Sequence, residues 1–309
     1  MPGFRRERLV VGLLIVAVAA VWFGVYSALD RTLEVTFLDV GEGDSILVHA
    51  PSGLNVLIDG GGRPGEVKGG WDVGRQVVVP ALLVAGVRRL DAVIATHFDA
   101  DHIGGLPAVL DEVPAGMLLC GGVPFASGRR DRLLASAGEN GVRVKGALLG
   151  QVFHFGPGIR ALVLHPGPVP MTGTGSDSNN NSAVLRLVYG DVSFLFTADI
   201  EAPAQRAVMR GGVTLQSTVL KVPHHGSADA ALPAFDRAVH PALAVVSVGV
   251  GNSYGHPSRA ALSALMATGA RILRTDLSGA IMVRSDGHAW RALTYREGRW
   301  RPAVSPGRH

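Results

Sequence analysis

THFDADHIGG (Thr96–Gly105) carries the strongest chemical signal in the chain, and it directly follows the short apolar segment at 91–95. Two histidines and two aspartates stand close together in it, and two glycines follow them. Such a cluster of imidazoles and carboxylates needs a positive counter-charge, which a pair of divalent cations supplies. Nitrogen and oxygen ligands suit Zn²⁺, and the share of carboxylates also suits Mn²⁺. We therefore expect a strand that ends in a metal site.

A solvated acidic turn that caps the next helix is the alternative interpretation of this segment. For Asp101 alone that simpler explanation would be preferred, because aspartate is common at helix N-caps. The complete spacing His-x-Asp-x-Asp-His favours metal ligation, since a cap requires one polar side chain rather than four.

Alternating strand and helix patterns lie on both sides of the segment. Before it, they predict strands at 33–38, 45–49 and 55–58 and a helix at 73–85. After it, they predict helices at 104–110 and 129–137 and a loop at 166–182. Beyond the loop, they predict strands at 183–189, 192–197, 218–222 and 243–248 and helices at 201–209, 232–239 and 258–267. Two β-rich halves of this kind indicate two sheets packed face to face, with helices outside.

Seven blocks in this order resemble the extracytoplasmic hydrolase domain of the ComEC family of competence DNA-uptake proteins, which has the metallo-β-lactamase fold. The blocks are FLDVGEGDSILV (Phe37–Val48), LIDGGG (Leu57–Gly62), THFDADHIGG (Thr96–Gly105), NNNSAVLRL (Asn179–Leu187), FLFTADI (Phe194–Ile200), LKVPHHGS (Leu220–Ser227) and NSYGHPS (Asn252–Ser258). The resemblance implies an α/β (α+β) protein, a four-layer αβ/βα sandwich with the metals at one edge of the sheets. It implies a hydrolase domain over residues 33–295.

The resemblance also implies ligands for two divalent ions, with Zn²⁺ expected and Mn²⁺ as the alternative. The implied ligands are His97 and Asp99 for the first ion, Asp101, His102 and His225 for the second, and Asp199 as the bridge between them. His224 is the alternative to His225. Asp199 has a second interpretation as the cap of the helix that begins near Glu201.

The first of these two sites departs from the usual pattern of the superfamily. Asp99 stands where a histidine is usual, and the third histidine has no counterpart. Asn180 or Asn181 stands near its place. We therefore expect the first metal to be held more weakly, or to be completed by water or substrate.

Further candidate residues follow the apolar strands of the second half. His256 precedes a predicted helix, where free amide groups favour an anion, so it is a phosphate contact or a proton donor. Lys221 meets substrate charge, or it is a plain surface lysine. The predicted catalytic residues are Asp101, His224, His256 and Lys221, and the predicted substrate-binding residues are Asn181, Ser227, Asn252 and Tyr254. Asp44 and Asp59 either orient metal-bound histidines or cap tight turns.

The composition excludes some kinds of site. The single cysteine, Cys120, cannot form an internal disulfide and rules out a Cys-rich zinc site. We predict that it is a buried core thiol. The net charge of +4 is compatible with a phosphate-bearing substrate, although much of the base lies at the two ends of the chain.

An uncharged apolar run at residues 9–29 is long enough to cross a bilayer. Arginines precede it, which predicts a cytoplasmic N-terminus at 1–8 and a catalytic domain outside the cell membrane. A cleaved signal peptide, with its cleavage site around Val25–Ser27, is the alternative. The chain is expected to end in a loose basic tail at 296–309.

These features lead to three hypotheses about function. The first is a phosphodiesterase or nuclease that acts on extracytoplasmic nucleic acid with a metal-activated hydroxide as the nucleophile. This activity would be linked to DNA uptake and its machinery. The second is hydrolysis of an ester, lactone or β-lactam on the same fold, because a fold does not determine a substrate. The third is a non-catalytic, metal-stabilised domain that binds DNA or a partner. The chain has a single apolar run of spanning length, which argues against transport as its own activity.

Overall fold

The computed structural model describes residues 11–22, 32–63, 70–122 and 127–305. The strands of these residues form a nine-stranded and a seven-stranded sheet. The first sheet has the order β16-β15-β14-β1-β2-β3-β4-β5-β6. Its strands are β1 Leu33–Phe37, β2 Ile46–His49, β3 Asn55–Ile58, β4 Ala92–Ala95, β5 Met117–Cys120, β6 Arg143–Gly146, β14 Ile281–Ser285, β15 Trp290–Arg296 and β16 Arg299–Val304.

The second sheet has the order β13-β12-β11-β10-β9-β8-β7. Its strands are β7 Val152–His154, β8 Ile159–His165, β9 Val184–Tyr189, β10 Val192–Phe196, β11 Val219–Lys221, β12 Leu243–Val246 and β13 Arg271–Arg274. The helices are α1 Val79–Val84, α2 Ala100–Ile103, α3 Leu106–Glu112, α4 Gly128–Glu139, α5 Ala202–Arg210, α6 Pro233–Val239, α7 Arg259–Met266 and α8 Thr275–Ser278. One π-helical turn, Gly74–Val78, leads into α1, so the helix predicted at 73–85 is present but is not regular throughout.

Three apolar clusters separate the layers. The largest lies between the two sheets and contains Phe37, Phe194 and Val245. A second joins the first sheet to helices α1, α3 and α4, and a third joins the second sheet to helices α5, α6 and α7. The order helix, sheet, sheet, helix is the four-layer αβ/βα sandwich that the sequence predicts.

The C-terminal strands complete the first sheet and correct the expectation of a loose tail. β14 pairs with β1 in antiparallel fashion, so the last part of the second half completes the first sheet. The loose tail expected from residue 296 is wrong as far as residue 304, because β16 pairs with β15. Backbone pairing at an exposed edge depends on the neighbouring strand, which a basic composition does not reveal.

The expected membrane span falls partly outside the described residues. Residues 11–22 are helical with exposed side chains, whereas 9–10 and 23–29 are among those not described. Within the described part of the chain, no helix combines the length and the apolar character that crossing a membrane requires.

Strand direction places the loops that carry polar side chains at one edge. β3, β4 and β5 are parallel in the first sheet, and β10, β11 and β12 are parallel in the second. The carboxyl ends of parallel strands lie together, and ligands commonly bind there in open α/β sheets. The segments after β4, β10, β11 and β12 contain the candidate residues at 97–102, 199, 224–225 and 252–256, respectively.

Candidate metal centre

Four side chains from three segments converge at this edge. Their ligand atoms all lie within 4.8 Å of one another, and they belong to Asp101, His102, Asp199 and His225. Asp199 lies between the two imidazoles, with Oδ1 3.1 Å from Nε2 of His102 and Oδ2 3.2 Å from Nε2 of His225. Asp101 Oδ2 is 3.5 Å from Nε2 of His225. The cluster therefore unites the residues expected at the second metal with the expected bridge.

The ring nitrogens at this edge have surroundings that fit a cation. Nε2 of His97, His102 and His225 is buried and makes no hydrogen bond of normal geometry among the described residues. Nε2 of His102 and Nε2 of His225 instead face the Asp199 carboxylate at 3.1 and 3.2 Å, so each needs either a proton or a metal ion between it and that carboxylate. Zn²⁺ and similar ions are bound by imidazole nitrogen and carboxylate oxygen, which is the donor set present here.

The second ring nitrogen of His102 and of His225 already has a hydrogen-bond partner. Nδ1 of His102 hydrogen-bonds to Oδ2 of Asp59 at 2.8 Å, and Nδ1 of His225 hydrogen-bonds to the Ser247 carbonyl at 2.8 Å. A hydrogen on Nδ1 leaves the lone pair on Nε2, which is the atom directed toward Asp199. Of the two interpretations open for Asp59, this contact supports the one in which it orients a histidine.

Burial and mutual attraction set the charges of the cluster. Burial opposes charge on the His225 imidazole, yet Asp199 and Asp101 raise its pKa to about 10. Burial likewise opposes ionisation of Asp199, but His102, His225 and Lys221 hold its pKa well below the usual range. The carboxylates are therefore ionised and attract positive charge, whether from protons or from a metal.

Lys221 differs from both interpretations of its sequence. It is fully buried, and its Nζ lies 2.5 Å from Oδ2 of Asp44 and 3.4 Å from Oδ1 of Asp199. It also donates to the carbonyl of Ala198. It is neither a surface lysine nor placed to touch substrate. It is the last residue of the buried strand β11, and its ammonium group is enclosed by Asp44, Asp199 and the Ala198 carbonyl. It neutralises the carboxylates behind the cluster.

The first site is sparser than the second. His97 Nε2 is 3.7 Å from Oδ2 of Asp99, whose side chain is 40% exposed and accepts a hydrogen bond from Ser178. Asn179, which directly precedes the expected Asn180 and Asn181, lies at the rim of the cluster beside His224. Its Nδ2 lies 3.5 Å from Nε2 of His224, and its buried Oδ1 has no partner among the described residues.

Two predicted substrate contacts are corrected by burial. Asn181 is completely buried, and its amide group bonds to the backbone of Met171 and Asp177. Ser227 is also buried, and its hydroxyl accepts from the Asp229 amide. Both side chains hold loops together. The sequence does not separate this role from ligand binding, because each role requires a polar residue near the motif.

The two adjacent histidines have different environments. Both adopt positive φ, 47° for His224 and 53° for His225, which is uncommon for residues with side chains and occurs at functional sites. His224 is 22% exposed, and its Nε2 is 3.9 Å from Oδ2 of Asp199. The paired turn sends His225 into the cluster and leaves His224 at its rim.

His256 faces the same rim from the loop after β12. Its ring lies 5.7 Å from that of His224 and 6.3 Å from that of His225. Its Nδ1 hydrogen-bonds to Oε1 of Glu42 at 2.8 Å, and Asn252 bonds to its backbone. Glu42 was not singled out from the sequence, although it stands inside the first matched block. Asn252 braces this loop and also lines the groove beside the cluster.

One glycine explains how the Glu42 segment reaches the cluster. A Cβ on Gly43 would lie 2.1 Å from the carbonyl oxygen of Asp101, and its φ of +127° also disfavours other residues. The neighbouring amide of Asp44 donates to that carbonyl. Close backbone approach of this kind requires glycine.

A groove of about 720 Å³ opens from the cluster toward solvent. Asp101 forms part of its wall, so the groove is continuous with the candidate ligands. Tyr254 lines it and stacks on His256, with ring centroids 5.6 Å apart and an interplanar angle of 19°. Trp71 lines it as well, and sequence reasoning missed this residue because it belongs to none of the matched blocks.

Comparison with known proteins agrees with the fold. ComE operon protein 3 of Bacillus subtilis (strain 168) is 33% identical over 84% of this chain and 34% of its own length. Competence protein ComA of Neisseria gonorrhoeae is 34% identical over 82% of this chain and 32% of its own length. The chain thus spans about a third of the length of these relatives.

Solved structures show the same architecture. The metallo-beta-lactamase fold protein YhfI from Bacillus subtilis matches 83% of this chain and 100% of its own, with a TM-score of 0.53 and 12% identity. At that identity the likeness concerns the fold alone. Residues 38–250, more than half of the chain, match the family described as the Metallo-beta-lactamase superfamily. The chain therefore belongs to the metallo-beta-lactamase superfamily.

Proposed function

We propose that this chain is a metal-dependent phosphodiesterase that cleaves nucleic acid, in the context of DNA uptake. The observation that carries the proposal is the convergence of the buried His102 and His225 imidazoles with Asp101 and Asp199, whose ligand atoms all lie within 4.8 Å of one another. The competence proteins among its relatives support a nucleic-acid substrate.

The residues favour two divalent ions, with Zn²⁺ first and Mn²⁺ as the alternative. Asp101, His102, Asp199 and His225 would hold one ion, and His97, Asp99 and Asp199 would hold the other more weakly. When bound, divalent cations would lower the pKa of a water toward ~7 and would stabilise negative charge on the attacking and leaving oxygens.

The protein's own groups position the substrate and move a proton. Glu42 accepts the hydrogen of His256 Nδ1 and so supports the imidazolium form, whose Nε2 carries the proton that is donated to the departing oxygen. His224, at the rim, is the second group placed to assist that oxygen. Asp59 and Lys221 act behind the cluster by orienting His102 and by neutralising Asp44 and Asp199.

Hydrolysis of an ester, lactone or β-lactam is the rival activity on this fold. The sparse first site favours phosphodiesters, because phosphate oxygens could supply the donor atoms that a third histidine would otherwise provide. A non-catalytic DNA- or partner-binding domain is the remaining alternative, and the complete second ligand set argues against it. Attachment to the cell membrane through residues 9–29 stays a prediction.

Three substrates with and without chelator test the proposal. We expect the metal-loaded protein to cleave bis(p-nitrophenyl) phosphate and single-stranded DNA, and to leave nitrocefin intact. Chelation and the Asp101→Asn change should each abolish cleavage. Asp111→Asn is the matched control, because its carboxylate bonds to Ser136 far from the cluster. Nitrocefin cleavage alone would establish the rival, and DNA cleavage that survives chelation would contradict a metal mechanism.

A further inference from the structure

The groove beside the cluster presents two aromatic rings to solvent. Trp71 is 56% exposed and Tyr254 is 60% exposed. Both line the groove, as does Asp101, which also belongs to the ligand cluster. Large aromatic rings are normally covered in a folded protein, so two of them in one groove beside a candidate active site indicate a binding surface.

The Tyr254 ring is held in place on one side only. It stacks on His256, and Glu42 fixes His256 in turn through a 2.8 Å hydrogen bond. A ring supported in this way offers its other face to a planar ligand at little cost in side-chain entropy. Nucleobases stack on such aromatic faces whatever their sequence, because every base has a π-face.

The charged groups of the groove favour the base and sugar of a nucleotide over further phosphates. Among the described residues, its wall includes the carboxylates of Asp39, Glu42 and Asp101 and the guanidinium of Arg63. Additional backbone phosphates would be repelled by this excess of carboxylates, whereas bases and sugars would not. An acyl chain would have to desolvate the exposed Asp39, which is costly without a compensating hydrogen bond.

We propose that the groove binds a nucleobase adjacent to the scissile phosphate, stacked on Trp71 and Tyr254. The inference rests on the proposed phosphodiesterase function and specifies its substrate as single-stranded nucleic acid, whose bases are free to leave the stack. Stacking rather than hydrogen bonding provides the affinity, so the site tolerates different bases.

Binding in chelator tests the inference without turnover. The probes are a short thymidylate oligomer and the same oligomer with abasic residues, titrated against the full chain. We expect the thymidylate oligomer to quench tryptophan fluorescence, and the Trp71→Phe change to remove most of the quench. Trp300→Phe is the matched control, because Trp300 lies on β16 against Tyr295 and outside the groove. The control should quench like the parent protein.

Affinity gives a second, independent measurement by fluorescence anisotropy. Trp71→Ala and Tyr254→Ala should each weaken thymidylate binding about tenfold. Tyr254→Phe should retain most of the affinity, since the ring remains. The abasic oligomer should bind the parent and the alanine variants equally, because it has no base to stack.

The failure of the inference and the failure of the proposed function are distinguishable. Equal binding of both oligomers by the parent, or equal losses for both oligomers in the alanine variants, would overturn base stacking even if DNA is cleaved. Base-dependent binding without cleavage of any phosphodiester would support the groove assignment and overturn the phosphodiesterase.

Discussion

A neutral histidine binds a metal through the ring nitrogen that carries no hydrogen. The hydrogen-bond partner of the other ring nitrogen therefore determines which nitrogen is available to the metal. Asp59 fulfils this role for His102 and also accepts from the amide and hydroxyl of Thr96. Its φ of 57° places it in the left-handed region, which aspartate and asparagine tolerate better than most residues. Asp59 thus favours the tautomer of His102 in which Nε2 is free to bind a metal.

We expect Asp59→Asn to lower metal affinity by about 10- to 100-fold. Asparagine keeps the backbone conformation, but its amide group no longer demands a hydrogen on Nδ1 of His102. Titration of metal against a competing chelator measures the loss. Asp111→Asn, remote from the cluster, should bind as the parent does, and an unchanged affinity for Asp59→Asn would refute the orienting role.

Short helices beside the cluster depend on their caps because few internal hydrogen bonds hold them. Helix α7 begins after Ser258, whose hydroxyl accepts from the amide of Ala261 at 3.2 Å. The amide of Ser258 donates to the carbonyl of Gly226, at the end of the turn that contains His225. The start of α7 is therefore tied to the segment that presents the candidate ligand His225.

Ser258→Ala should lower the free energy of unfolding by about 1 kcal/mol, because the capped amide loses its acceptor. Urea unfolding followed by circular dichroism measures the change. The matched control is Ser263→Ala on the exposed face of the same helix, which should be neutral or slightly stabilising because alanine has the higher helix propensity. Equal effects of the two substitutions would contradict the capping argument.

At the level of the whole molecule, the cluster joins the two sheets. Asp101 and His102 follow β4 of the first sheet, whereas Asp199 and His225 follow β10 and β11 of the second. A cation bound there contacts both sides of the central apolar core. Ligand binding to the folded state alone stabilises it in proportion to the logarithm of the ligand concentration.

Metal should therefore raise the free energy of unfolding of the entire domain by about 2.7 kcal/mol when its concentration is a hundred times Kd. The thermal midpoint should rise accordingly. Differential scanning calorimetry with added Zn²⁺ and with chelator measures the difference. The Asp101→Asn variant should lose most of the metal-dependent shift. A shift of the same size in that variant would indicate that the metal binds elsewhere.

Local patterns were sufficient for much of the element order. The helix predicted at 129–137 is α4, and the strands predicted at 183–189 and 192–197 are β9 and β10. The strand predicted at 55–58 is β3. Such features depend on neighbours in sequence, through side-chain periodicity and the conformational preferences of turn residues.

The sequence by itself determined the superfamily, much of the order of strands and helices and the aspartate–histidine segment at Thr96–Gly105, because each is encoded by residues close together in the chain. Tertiary structure alone decided that Lys221 is buried, that Asn181 holds a loop and that Trp71 lines the groove. It also decided that β14 completes the first sheet. Burial and long-range strand pairing depend on residues far apart in sequence, and no local pattern records those contacts.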